Sequence, residues 1–237
     1  MLYNLTPAVL ITNVIVLLVA MSVHEFAHAY VAYLNGDTTA KDAGRMTLDP
    51  RANIYWPGFI IGVLIGFAIL GSAPVNPYRM RNPRWGMFAA VLAGPVSNLL
   101  VAVVFAIPLR LGLFTSGAAI GGLSGTVISF LGFLLQRMVL LNVLLFVFNL
   151  LPLFPLDGWT VAYAALPPRA AVWWQRQQQT SMYILYGLIA LSFVGPMMGS
   201  SLARVFPALA NGAWLNWLPL NWLIYVPTMQ IVWFLTG

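Results

Sequence analysis

The chain has no cysteine, and charge is nearly as scarce, with only 7% of its 237 residues being Asp, Glu, Lys or Arg. The missing cysteine excludes disulfides, CxxC redox chemistry and thiolate-bound metal, and leaves the compartment open. The missing charge says more. A soluble domain carries about 25% charged and about 45–50% apolar residues, whereas 61% of this chain is hydrophobic. So few charges cannot cover a globular surface. There is no dense basic run, nucleic-acid motif, repeat or low-complexity tract, so the net charge of +6 points to topology and anionic lipid and not to nucleic acid. The first twenty residues hold no Lys or Arg and so lack the positive n-region of a cleaved signal peptide.

What is present is a series of apolar runs long enough to cross a bilayer core of about 30 Å as helix. Spans are expected over 5–34, 86–109, 127–151 and 180–205. The short alternating segments of a transmembrane barrel are absent. The run 57–72 falls short of the roughly 20 residues that a span prefers, and its Gly58, Gly62 and Gly66 suit close helix packing. The tail 206–237, with Trp214, Trp217, Trp222 and Trp233, reads as interfacial or as a last span. Between the runs lie a polar segment over 35–56, with a short strand expected around Arg45–Leu48, a proline-rich loop over 73–85, a Gly/Ser-rich loop over 111–125 and a polar connection over 167–179. The fold expected is an all-α polytopic membrane protein, a bundle of about 4–6 transmembrane helices. It forms one membrane-embedded domain over 1–237, with a core at about 5–165 and C-terminal helices over 180–237.

Into the first apolar run are set His24, Glu25 and His28, the only two histidines and the only glutamate of the chain. Residues four apart share one helix face, so the two imidazoles can bind one zinc ion while the adjacent carboxylate takes a proton from a water. That is the metalloprotease reading of His-Glu-x-x-His. Ionisable groups inside a span cost about 2.5–3.5 kcal/mol each and usually mark function. The bland reading is a polar packing cluster satisfied by other helices.

Catalytic zinc usually takes three protein ligands and a water. Asp37, Asp42 and Asp49 share one polar loop with basic residues and read as solvated charges. Asp157 follows the span 127–151 in a stretch broken by Pro152 and Pro155 and turned by Gly158. It reads either as the third ligand or as the N-cap of a helix starting near Gly158. Gly94-Pro95 with Asn98 reads as a kink and packing site, and Arg137, inside a span, needs a partner, a water cavity or an end to which it can snorkel.

The pair of motifs His24-Glu25-Phe26-Ala27-His28 and Asn149-Leu150-Leu151-Pro152-Leu153-Phe154-Pro155-Leu156-Asp157-Gly158 resembles the site-2 protease family of intramembrane zinc metalloproteases. Three further segments share the likeness: Gly44–Pro50, Pro74-Val75-Asn76-Pro77 and Ala93-Gly94-Pro95-Val96-Ser97-Asn98. The likeness covers about residues 20–160 and is to the compact prokaryotic branch without a PDZ or CBS domain. It implies one zinc ion per chain held by His24, His28 and Asp157, with Glu25 as general base and proton donor. It implies Asn149 as an oxyanion or substrate contact, and β elements near the site, here placed at 44–49 and 73–78. It implies a substrate with a transmembrane helix, cut in regulated proteolysis. Rival readings are a zinc hydrolase of a lipid or small amide, a metal-binding or transport protein, and an inactive relative.

For one ion to meet His24, His28 and Asp157, the end of the first span and the end of the span 127–151 must lie on one side of the membrane. That holds when 57–72 is re-entrant. Both basic loops, with Lys41, Arg45, Arg51, Arg79, Arg81 and Arg84, then share a face, which the positive-inside rule makes cytoplasmic. The expected protein is a multi-pass component of a prokaryotic cell membrane, N-terminus outside and site opening to the cytoplasm. Single cysteines placed in 73–85 should accordingly be shielded from an impermeant thiol reagent added outside intact cells; labelling there reverses this topology.

Overall fold

A computed structural model describes residues 6–65, 71, 73–114, 125–190 and 221–237. Helix α1 (Pro7–Leu34) starts where the Thr6 side chain accepts from Val9 N and Pro7 takes the first turn. It ends where Asn35 bonds back to Val31 O and Gly36, at φ 105°, makes the left-handed turn. Short helices α2 (Thr39–Asp42) and α3 (Pro50–Asn53) and the apolar α4 (Trp56–Ile65) follow. Helix α5 (Pro83–Arg110) is capped by Asn82 with Pro83 at its first turn. Then come α6 (Gly125–Asn149), α7 (Asp157–Ala165), α8 (Pro168–Arg176), α9 (178–190) and α10 (Val226–Thr236). Among the described residues α1, α5 and α6 are long and apolar enough to cross a membrane.

These three helices are the frame. Lipid tails are as apolar as leucine, so close packing, not flight from water, holds such helices together. Val16, Leu17, Ala20 and Met21 of α1 meet Met138, Leu141 and Leu145 of α6, with Phe59 of α4 against them. Ala102 and Ala106 of α5 meet Val139 and Val143 of α6, and Ile231, Val232 and Leu235 of α10 close that cluster. The alanines let α5 and α6 approach closely.

Helix α4 turns Gly58, Phe59 and Gly62 inward. Asn13 of α1 donates to Val63 O, 2.8 Å away. Ile54 and Gly71 form an antiparallel bridge. Gly66 and much of the expected loop 111–125 lie outside the described residues. So do most of the expected span 180–205 and the tail with Trp214 and Trp217.

Several expectations are corrected. Neither 44–49 nor 73–78 is a strand, and the Ile54–Gly71 bridge is the β pairing found among the described residues. Pro74 and Pro77 have no N–H to give a ladder, and Asn53 donates to Arg45 O and gathers the preceding stretch into bends. The polar connection 167–179 contains α8, started by Pro168. Asp37 is 1% exposed, far from a solvated loop charge. It accepts from Thr39 N and from Asn76 N, which ties the end of α1 to residues 73–76. Burial pushes its carboxyl up, and the hydrogen bonds from Thr39 and Asn76 outweigh that, leaving it below the ordinary carboxylate value. Arg79 also reaches Asp42, so the two basic loops sit together at one end of the bundle. Arg137 lays its guanidinium 5.5 Å from the Phe133 ring centroid, a cation–π contact inside α6.

Candidate metal centre

On α1, residues 24 and 28 fall one turn apart, and both side chains are buried against α5. Each imidazole is held by its Nδ1. Ala90 O lies 2.8 Å from His28 Nδ1; a carbonyl only accepts, so this nitrogen carries the proton. Asn98 Oδ1 lies 2.6 Å from His24 Nδ1. The Asn98 amide spends its N–H groups on Ala20 O and on Asn142 Oδ1, which leaves its oxygen for His24 and gives that Nδ1 the proton as well. Asn142 is fixed in turn by donating to Met138 O. A buried chain of amides from α6 through α5 thus sets the tautomer of an α1 histidine.

Both Nε2 atoms therefore present lone pairs, and they face each other 2.9 Å apart. Asp157 Oδ2 comes to 3.1 Å from His24 Nε2 and 3.4 Å from His28 Nε2. That oxygen is buried and has no hydrogen-bond partner. Three metal-ligating atoms converge on one point, an arrangement that a bound cation would satisfy. The spacing suits zinc: ligands at about 2.0–2.1 Å in a tetrahedron lie roughly 3.3 Å from one another. His24, His28 and Asp157 are also the only such metal-ligating cluster among the described residues.

Two glycines make the convergence possible. A Cβ on Gly94 of α5 would stand 2.3 Å from His28 Nε2 and 2.7 Å from His24 Nε2, so the imidazoles lie directly on its backbone. A Cβ on Gly158 would stand 2.3 Å from Leu150 O and 2.4 Å from Leu151 O; its absence lets α7 start hard against the end of α6. Asp157 opens α7 without acting as a side-chain cap, since the N-cap is Leu156. The other end of α7 is clamped by Arg84, which donates to Ala164 O, Ala165 O and Leu166 O. Phe154 N donates to Ser181 Oγ and fixes the turn before it to α9.

The three groups open into a cavity of about 360 Å³. Glu25, 3% exposed, lines it, and its Oε2 accepts from Ala73 N at 2.6 Å. Asn149, at the last turn of α6, lines it too. All five residues singled out in the sequence thus meet at one place. The sequence reading missed Asn98, taken as packing, and Asn142, not singled out at all. An asparagine fully buried in an apolar span was the signal, since its amide must find partners there.

Fold and site together define a helical protein in which, among the described residues, three membrane-span-length helices accompany a two-histidine, one-carboxylate centre beside a glutamate. No family model and no solved structure matches the chain. Curated relatives do. The "Putative zinc metalloprotease YwhC" of Bacillus subtilis is 39% identical over 155 residues, 65% of this chain and 69% of that protein. The "Putative zinc metalloprotease Rip2" of Mycobacterium tuberculosis is 31% identical over 186 residues, 76% of this chain and 66% of that one. The Mycolicibacterium smegmatis protein of the same name is 35% identical over 160 residues, which span 54% of its length. The chain belongs to the site-2 protease family.

Two substitutions test the centre. Gly94→Ala should abolish stoichiometric metal binding measured by elemental analysis. Alanine is the better helix former by about 0.8–1.0 kcal/mol, so a loss reports the collision with the imidazoles and not a weaker α5. Asn98→Ala should weaken metal affinity about 10- to 100-fold in a chelator competition, the usual cost of removing a partner that orients a ligand.

Proposed function

We propose that the protein is an intramembrane zinc metalloprotease that hydrolyses peptide bonds in or near transmembrane segments of other membrane proteins. The observation that carries this reading is the meeting of three lone-pair donors with Glu25 in one cavity at the end of a bundle of span-length helices. His24, His28 and Asp157 hold one zinc ion per chain. Bound there, zinc supplies a Lewis acid that acidifies a water and polarises a peptide carbonyl.

The rest is the work of the chain's own residues. Glu25 anchors Oε2 on Ala73 N and uses its carboxylate to take the proton of the attacking water. It later gives that proton to the leaving amine, as a general base that becomes a general acid. Asn149, at the cavity wall, donates its amide N–H to the carbonyl oxygen as negative charge builds there. The Nδ1–H bonds to Asn98 and Ala90 keep both imidazoles aimed. A helical substrate hides its carbonyls in its own hydrogen bonds, so the segment to be cut must unwind before it reaches the cavity.

The segment around α4 is a re-entrant hairpin in this reading, supported by the Ile54–Gly71 pairing and by an apolar run over 57–72 shorter than the roughly 20 residues that a span prefers. The active site then opens at the face where the basic loops gather, which the positive-inside rule makes cytoplasmic.

The deciding measurement pairs zinc content with proteolysis. Glu25→Gln should keep about one zinc per chain and lose cleavage of a model single-pass substrate by about 10²- to 10⁴-fold, the usual contribution of a general base. Full cleavage by that variant overturns the mechanism.

A further inference from the structure

A second cavity, about 460 Å³, lies against the first. Met87 of α5 and Thr160 of α7 line both, so the two adjoin between α5 and α7. The helices explain the adjacency. Met87 precedes Gly94 by two turns on one face of α5, and Thr160 follows Asp157 by one turn of α7. The far part of the groove is walled by Pro77, Tyr78, Tyr163, Leu166, Ala171 and Val172. Its one charged lining residue, Arg84, is engaged by the three carbonyls that end α7. An acidic side chain entering here would lose water and find only a guanidinium whose Nε and Nη2 already donate to those carbonyls. An apolar side chain would lose nothing by entering and would gain contacts.

We infer that this groove is a specificity subsite of the protease reading above, on which it rests, and that it takes a large apolar side chain of the substrate near the bond to be cut. Its place along the chain follows from helix geometry. Two turns of α5 from Gly94 to Met87 are about 10 Å, and an extended peptide covers about 3.3 Å per residue. The recognised side chain therefore stands about three residues from the scissile bond. The occupant is the substrate's own chain because the groove adjoins the cavity where the bond would lie. The volume falls within the roughly 300–1,000 Å³ of sites that bury a small ligand, ample for one leucine or phenylalanine.

The experiment uses the zinc-loaded full chain and a panel of single-pass substrates with Leu, Phe, Ala or Asp at the second to fourth residue on each side of the cleaved bond. The wild type should prefer Leu or Phe to Asp by about 10- to 100-fold at one of these positions, within the range one apolar contact provides. Ala171→Trp, which fills the groove from α8, should collapse that preference to within about threefold and favour Ala. The readout is a ratio of kcat/KM between substrates for one preparation, so partial misfolding cancels, and Ala171→Leu gives a milder filler to compare. Wild-type ratios in Ala171→Trp, or no preference at any position in the wild type, overturn the subsite while leaving the protease standing. Failure of the zinc-loaded wild type to cut any substrate removes the protease reading and the subsite with it.

Discussion

Everything at the site depends on the protons of two histidine ring nitrogens. His24 and His28 each give an Nδ1–H to an acceptor on α5, and that assignment turns both Nε2 lone pairs inward. Were either ring flipped to the other tautomer, a proton would occupy the space that three donors now surround. The tautomer is set by backbone and amide groups that cannot themselves ionise. The low dielectric of the interior strengthens these bonds and makes any unpaired member costly.

The rest of the architecture brings a carboxylate to that point. Its helix, α7, is too short to place itself. The lack of a side chain at Gly158 seats one end on the α6 carbonyls, and Arg84 holds the other. Asp157 is therefore referenced to both α5 and α6, while the histidines belong to α1. Glu25 and Asp37 play a parallel part for residues 73–76. Each carboxylate takes one backbone N–H of that stretch, Ala73 and Asn76. A segment that prolines bar from forming a regular strand is instead held at two points along the cavity wall.

The parts of this site legible in the sequence are those with local spacing. Two histidines four apart define a helix face without further information, and a carboxylate after a proline-broken span has few reasons to be there. The parts not legible depend on which helix faces which. Asn98 looks like packing until α1 is known to lie against α5, and Asn142 carries meaning only as the partner of Asn98. Asp37 was misread because a polar, charged neighbourhood suggests water. The pattern that gave it away was Gly36-Asp37-Thr38-Thr39, a turn in which an aspartate can bond the backbone two residues on. The expected strand at 73–78 failed for the opposite reason, since the resemblance suggested it where Pro74 and Pro77 have no N–H to give a ladder.

The proposed ligands also enter the world at different times. During synthesis α1, with both imidazoles, emerges first, and α7 comes only after α5 and α6 have been made. A chain made only as far as α6 thus has the histidine pair and its Asn98 tether but not Asp157. The centre is therefore completed by the last of its proposed ligands to be made.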